Sequence, residues 1–238
     1  MSSTEAYYNR HARQFVDDTL DVDMGSLYAP FLAELPVNAH ILDAGCGSGR
    51  DALAFQNLGH QISAFDASEQ LAGHASQLLG VTVPVKRFDE VEEIERYDGI
   101  WACASLLHVP ARQLPDVFAR LWRALRSGGV LYCSFKQGQG ERQQQGRHFT
   151  DADETRIAEW TQALPGLSRT TCWLTVDQRP GRDEQWLNVL LSRDGTRLRL
   201  GQWPLVAGFV WSAKAQRLEE LQHILPGEEQ LQAPLSAL

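Results

Sequence analysis

The chain has 238 residues, of which 43% are hydrophobic and 22% charged, with a formal net charge of -8. That is long enough for a large buried core, and the usage is ordinary for a globular enzyme. No run approaches the ~18 apolar residues of a membrane span, and the polar start Met1-Ser2-Ser3-Thr4-Glu5 lacks both parts of a signal peptide, so a cytoplasmic protein is expected.

The acidic balance opposes broad binding to a phosphate backbone, although a local arginine patch would still permit it. Cys46, Cys103, Cys133 and Cys172 stand far apart, with no C-x-x-C pair and no histidine cluster at ligand spacing. Reduced thiols are expected, with neither a metal site nor a disulfide framework.

In chain order, the first strong signal is His40-Ile41-Leu42-Asp43-Ala44-Gly45-Cys46-Gly47-Ser48-Gly49-Arg50, an apolar strand running into an acid and then glycine at every second position. Glycines allow turns closed to residues with a Cβ and let a ligand approach the backbone, as in nucleotide-type cofactor sites. The dinucleotide fingerprint G-x-G-x-x-G would need a glycine where Arg50 stands, and a phosphate loop would need Gly-Lys-Ser/Thr where Gly-Arg-Asp stands. Asp43 suits a cationic cofactor better than a pyrophosphate.

Strands and helices then alternate as far as Phe135, which implies parallel pairing and a doubly wound α/β sheet. After Pro110, the residues Leu114, Val117, Phe118, Leu121, Trp122 and Leu125 make one apolar helical stripe. Residues 137–146, rich in Gln and Gly, read as a mobile loop. Thr150 and Asp153 resemble a capping box opening a helix through Leu164, with Ile157, Trp160 and Leu164 on its buried face. Residues 170–176 and 185–191 read as strands. Residues 196–238 form an extension whose run 203–211 is too apolar for a free linker, followed by a short amphipathic helix through Leu218, Leu221, Ile224 and Leu225. The expected organisation is a domain over residues 1–195 and an extension over 196–238, packed on that domain or at a dimer contact.

The stretch from Leu42 to Gly49 resembles the first motif of the class I S-adenosylmethionine (SAM)-dependent methyltransferases, and the likeness continues over most of residues 5–193. It implies a mostly parallel seven-stranded sheet with helices on both faces and an antiparallel final strand. It also implies a second strand, Gln61-Ile62-Ser63-Ala64-Phe65-Asp66, whose terminal acid holds the ribose hydroxyls, about twenty residues past the glycines. A third strand over residues 83–87 would then be followed by Phe88 and Asp89 around the adenine, and a fourth would run from Tyr97 to Cys103. Gly-Ser-Gly-Arg-Asp and Ser-Leu-Leu-His-Val-Pro look most like the TehB-like small-molecule group.

Ligands of open α/β sheets lie beyond the carboxyl ends of the strands. This selects Asp43, Gly45, Cys46, Gly47, Asp66, Ala67, Phe88, Asp89, Ala102 and Cys103 for SAM, with S-adenosylhomocysteine (SAH) as product. In the helix that the resemblance places first, Tyr8 would cover the cofactor and Arg13 pair with its carboxylate, although Tyr8 and Phe15 equally suit a buried stripe. His108 is the catalytic candidate, with a structural histidine the competing reading. Lys136, Arg147 and Arg179 are candidate contacts for a small acceptor that carries negative charge. The expected function is methyl transfer to a small molecule by a monomer or homodimer, against an RNA (tRNA) methyltransferase or a non-catalytic SAM-binding subunit.

Overall fold

Ser2 starts the first helix: its Oγ accepts the Glu5 N–H at 3.2 Å, and the Glu5 carboxylate accepts the Ser2 N–H at 2.9 Å. This reciprocal cap opens α1 (Ser3–Thr19), which breaks helical geometry once, at His11 (φ -110°, ψ 17°). The computed structural model describes residues 2–177 and 182–195, with the strands Phe209–Ser212 and Arg217–Glu220. After α1 come α2 (Gly25–Leu32), β1 (His40–Ala44), α3 (Arg50–Asn57), β2 (Gln61–Phe65), α4 (Glu69–Leu79), β3 (Tyr97–Ala102), α5 (Leu114–Ala124) and β4 (Leu125–Lys136). A hairpin of β5 (Glu141–Gln144) and β6 (Arg147–Thr150) leads to α6 (Glu154–Thr161), β7 (Leu167–Val176) and β8 (Gln185–Arg193).

The main sheet has six strands in the order β2-β1-β3-β4-β8-β7. β2, β1, β3 and β4 are parallel, β8 runs antiparallel to β4, and β7 runs antiparallel to β8. The expected third strand, over residues 83–87, shrinks to one parallel bridge, Asp66 with Val85, which leaves six strands in place of the expected seven. Pro84 explains the loss: it has no N–H to donate, so its carbonyl accepts from Asp66 at 3.3 Å and only Lys86 donates back, at 2.9 Å. The chain then enters a single 3₁₀ turn, Phe88–Glu90.

Neighbouring side chains along the central strands point to opposite faces, and both faces are covered. On one face Trp101 stacks on Tyr132 at 3.8 Å and meets Tyr28 and Phe31 of α2 and Phe55 of α3. On the other, Leu42, Ile100 and Leu131 share a core with Leu114, Val117, Phe118, Leu121 and Trp122, the α5 stripe read from the sequence. Ile157 and Trp160 of α6 join that second core.

Three local expectations change. The loop over 137–146 is mostly a hairpin, whose two-residue turn Gln145-Gly146 has positive φ at both positions (51° and 79°), the twist that antiparallel strands favour. Asp153 alone caps α6, accepting the Arg156 N–H at 2.9 Å, while the Thr150 hydroxyl donates to the Val109 carbonyl at 2.7 Å. The helix ends at Thr161, short of Leu164.

Contacts divide the chain into a unit over Met1–Leu198 and another over Arg199–Leu238. In the second, β9 (Phe209–Ser212) pairs antiparallel with β10 (Arg217–Glu220). Leu218 is thus in a strand rather than the expected helix, since the Phe-Val-Trp run opposite it favours extended pairing. Leu221, Ile224, Leu225 and residues 203–208 lie outside the described residues. Among the described residues no helix is long and apolar enough to cross a membrane.

Candidate active site

The carboxyl ends of β1, β2 and β3 open into a cavity of about 800 Å³, within the range that takes a cofactor and a small second ligand. At its floor, Gly45 and Gly47 have φ of 78° and 55°. A Cβ on Gly45 would stand 2.7 Å from the Ser105 Cβ, and one on Gly47 2.9 Å from a Phe15 ring carbon, so the loop touches its neighbours only as glycine.

The same loop is tied to the end of β2. Gly45 and Cys46 donate to the Phe65 carbonyl at 3.0 Å each, and the Gly47 N–H donates to Asp66 Oδ2 at 2.8 Å. The other Asp66 oxygen accepts the Ser68 N–H at 2.8 Å, at the start of α4. Burial raises the Asp66 pKa, opposed by these backbone donors. Asp43 lies deeper, 2% exposed, and accepts the Ala52 N–H in the first turn of α3 at 3.1 Å. Burial, reinforced by the nearby Asp51 charge, pushes its carboxyl well above the usual carboxylate range.

Helix α1 roofs the cavity. Asn9 Oδ1 accepts the Ser68 hydroxyl at 2.7 Å and the Gln70 N–H at 3.2 Å, and Thr4 Oγ1 accepts the His148 N–H at 3.0 Å. Tyr8 reaches the opposite wall, where its hydroxyl lies 2.8 Å from His108 Nε2. His108 Nδ1 lies 2.7 Å from the His148 carbonyl, which only accepts, so Nδ1 carries the proton. Nε2 of the neutral ring is then the acceptor and Tyr8 the donor. Burial pushes the His108 pKa down to about 4, and burial raises that of Tyr8, so both stay uncharged near neutrality.

Of the residues selected from sequence, Tyr8, Asp43, Gly45, Cys46, Gly47, Asp66, Ala67, Phe88, Asp89, Cys103, His108, Lys136 and Arg147 all line this one cavity. Burial pushes the Cys103 thiol up to about 12, which keeps it protonated. Arg13 does not join them: it is exposed on α1, while Gln14 and Phe15 beside it line the cavity. Ala102 is fully buried within β3, and Arg179 lies outside the described residues.

Sequence reasoning missed the group beneath the loop. Asp51 accepts the Tyr28 hydroxyl at 2.6 Å, the Trp101 Nε1–H at 2.8 Å and two Arg50 N–H groups at 2.6 and 3.1 Å. Burial alone would raise its pKa, but the Arg50 charge and these donors hold it below the ordinary value. Arg50 also donates to the Thr19 carbonyl at 3.2 Å, linking the loop to the end of α1. Trp186 and Asn188 of β8 also line the cavity and were not anticipated.

Residues 41–129 match the model of a methyltransferase domain. The chain superimposes on Burkholderia thailandensis 1,6-didemethyltoxoflavin-N1-methyltransferase, crystallised with 1,6-didemethyltoxoflavin and SAH, with TM-score 0.66 and 22% identity, covering 80% of this chain and 87% of that one. This is a class I methyltransferase fold. A second example is the magnesium protoporphyrin IX methyltransferase of Synechocystis PCC 6803 with bound SAH, at TM-score 0.60 and 19% identity over 80% of this chain and 98% of that one. By sequence the chain is 30% identical to the malonyl-[acyl-carrier protein] O-methyltransferase of Enterobacter lignolyticus (strain SCF1) over 106 residues, 42% of this chain and 41% of that protein. It is 27% identical to the YqeM protein of Bacillus subtilis (strain 168) over 115 residues, 44% and 47% of the two. The aligned part thus spans under half the length of the curated relatives it matches.

Proposed function

We propose that the protein is an enzyme that transfers a methyl group from SAM to a small-molecule acceptor and releases SAH. The observation that carries this reading is the convergence on one cavity of a glycine floor that a Cβ would fill, the acid that ends β2 and a hydrogen-bonded Tyr8–His108 pair. These residues fit the cofactor. Asp66 would take the ribose hydroxyls on its free lone pairs, Phe88 and Asp89 would flank the adenine, and Asp43, Cys46, Ala67 and Cys103 would line the rest of its seat. Bound there, SAM supplies a sulfonium methyl already activated for attack.

The chain's own contribution is positioning. His108 accepts the Tyr8 proton, so the Tyr8 oxygen presents lone pairs to an acceptor X–H and orients it. With a pKa near 4, His108 is an orienting acceptor rather than a strong base, and most of the acceleration comes from proximity and exclusion of water under α1. Arg147, which has no acidic partner among the described residues, and Lys136, which is paired with Glu184, both line the acceptor side, and the Arg147 charge suits an acceptor with negative charge. The TehB-like likeness of residues 47–51 and 105–110 favours a small metabolite or oxyanion over tRNA, in line with the acidic composition.

Incubation with methyl-labelled SAM and separate pools of metabolites, oxyanions and tRNA tests the reading. Label in a small molecule with SAH formed in equal amount is the expected result. Label in tRNA alone, or SAM binding without transfer to any pool, contradicts it.

A further inference from the structure

Six lysine and arginine side chains line the cavity: Arg50, Lys86, Arg87, Lys136, Arg147 and Arg182. Among the described residues five of them face a carboxylate. Arg50 meets Asp51 at 2.6 Å, Lys86 meets Glu93 at 2.9 Å and Arg87 meets Asp89 at 3.0 Å. Lys136 pairs with Glu184, which also stands 4.0 Å from Arg182. Arg147 has no acidic partner there. One of its terminal nitrogens donates to Gln145 Oε1 at 3.0 Å, and its buried Nε has no hydrogen-bond partner among the described residues.

A buried guanidinium N–H without a partner is rare in folded proteins and calls for one. Aromatic rings fix the position of this guanidinium: its central carbon stands 4.3 Å from the Tyr7 ring centroid and 5.1 Å from that of Phe149. A planar fork held by rings, with its Nε–H unspent beside terminal N–H groups, is the arrangement that takes a carboxylate through two parallel hydrogen bonds. Its place matters too. Arg147 directly precedes His148, whose carbonyl fixes His108, and it stands 6.0 Å from the Tyr8 ring.

We propose that Arg147 receives a carboxylate of the methyl acceptor, so that the acceptor is a small carboxylate-bearing molecule whose body lies against Phe149 and Tyr8. This rests on the methyltransferase reading above and names the acceptor class. Carboxylate chemistry also occurs in the amino-acid part of SAM itself, and a test must separate the two sources.

Benzoate, phenylacetate and their neutral amides, titrated by calorimetry into the full chain saturated with SAH, provide that test. The expected result is binding of at least one carboxylate and much weaker binding of the matching amide. In R147Q that affinity drops by roughly tenfold or more, with SAH affinity unchanged, and R147K falls between because it keeps the charge without the fork. Equal binding of acids and amides, or no binding of either acid to the wild type, overturns the proposal, and this comparison needs no variant. Loss of SAH affinity in R147Q also overturns it, by assigning Arg147 to the cofactor's carboxylate. Failure of SAH to bind the wild type would instead sink the methyltransferase reading.

Discussion

Asp66 has one oxygen on the Gly47 N–H and the other on the Ser68 N–H, so a single carboxylate joins the glycine loop to the start of α4 and still offers lone pairs to the cavity. Replacing it with alanine is expected to weaken SAM binding by roughly 2 to 4 kcal/mol, as two charged hydrogen bonds to the ribose are lost. The same change strips two backbone donors of their acceptor, so the melting temperature should also fall. Calorimetry beside a thermal melt checks both, and unchanged affinity in folded Asp66→Ala would contradict the assignment. His108 makes a separate claim about pH. Its folded pKa, about 4, lies below the ordinary 6.5, so the unfolded chain binds the extra proton between those values. The stability linked to keeping it neutral is therefore complete above pH 6.5 and is lost as pH falls from about 6.5 toward 4. A shift of that size is worth on the order of 3 kcal/mol. Urea denaturation of wild type and His108→Gln from pH 7.5 to 4 should show the wild type losing more stability on acidification, whereas parallel pH curves would count against a buried neutral His108. If the Tyr8–His108 pair orients the acceptor, His108→Ala should lower turnover by ~10²-fold or more while SAM affinity is nearly kept.

At the level of elements, α1 is held over the cavity by Thr4, Tyr8 and Asn9, all before its break at His11, and the loop meets it at Phe15. Gly47→Val places a branched side chain at φ 55° and into the Phe15 ring. It should abolish SAM binding by displacing α1 from the loop, while the sheet, which does not use Gly47, retains its cooperative unfolding. Circular dichroism together with SAM titration would reveal this, and normal binding would remove α1 from the site. The helix itself was legible from the spacing of Tyr8 and Phe15, but the choice of partner was not: Tyr8 meets a histidine 100 residues away. The family resemblance assigns Arg13 to the cofactor's carboxylate, yet a side chain five positions on from Tyr8 emerges on a different face. The β5–β6 hairpin escaped notice because Arg142, Gln143 and Gln144 are polar on both faces, leaving no period-two alternation to read.

For the molecule as a whole, alternation of strands and helices was enough to give the parallel sheet, and the α5 stripe gave the face it covers. The missing edge strand turns on one residue, Pro84, whose cost appears only when its ladder partner is known. The Asp51 group was invisible for the same reason, since Tyr28 and Trp101 are 23 and 50 residues away in sequence and converge only after the sheet forms. Asp51→Ala leaves the largely buried Arg50 without its ion partner and should destabilise the fold by about 3 to 5 kcal/mol, read from urea midpoints; a loss below about 1 kcal/mol would mean that the group is dispensable. The central claim is that the loop, Asp66 and the roof of α1 form a SAM site. Titration of the intact chain with SAM, SAH, NAD and ATP tests it most directly. One-to-one binding of SAM and SAH is expected, sharply weakened in folded Asp66→Ala, with no comparable binding of NAD or ATP. Binding of NAD or ATP in preference to SAM, or SAM affinity indifferent to Asp66, would contradict it.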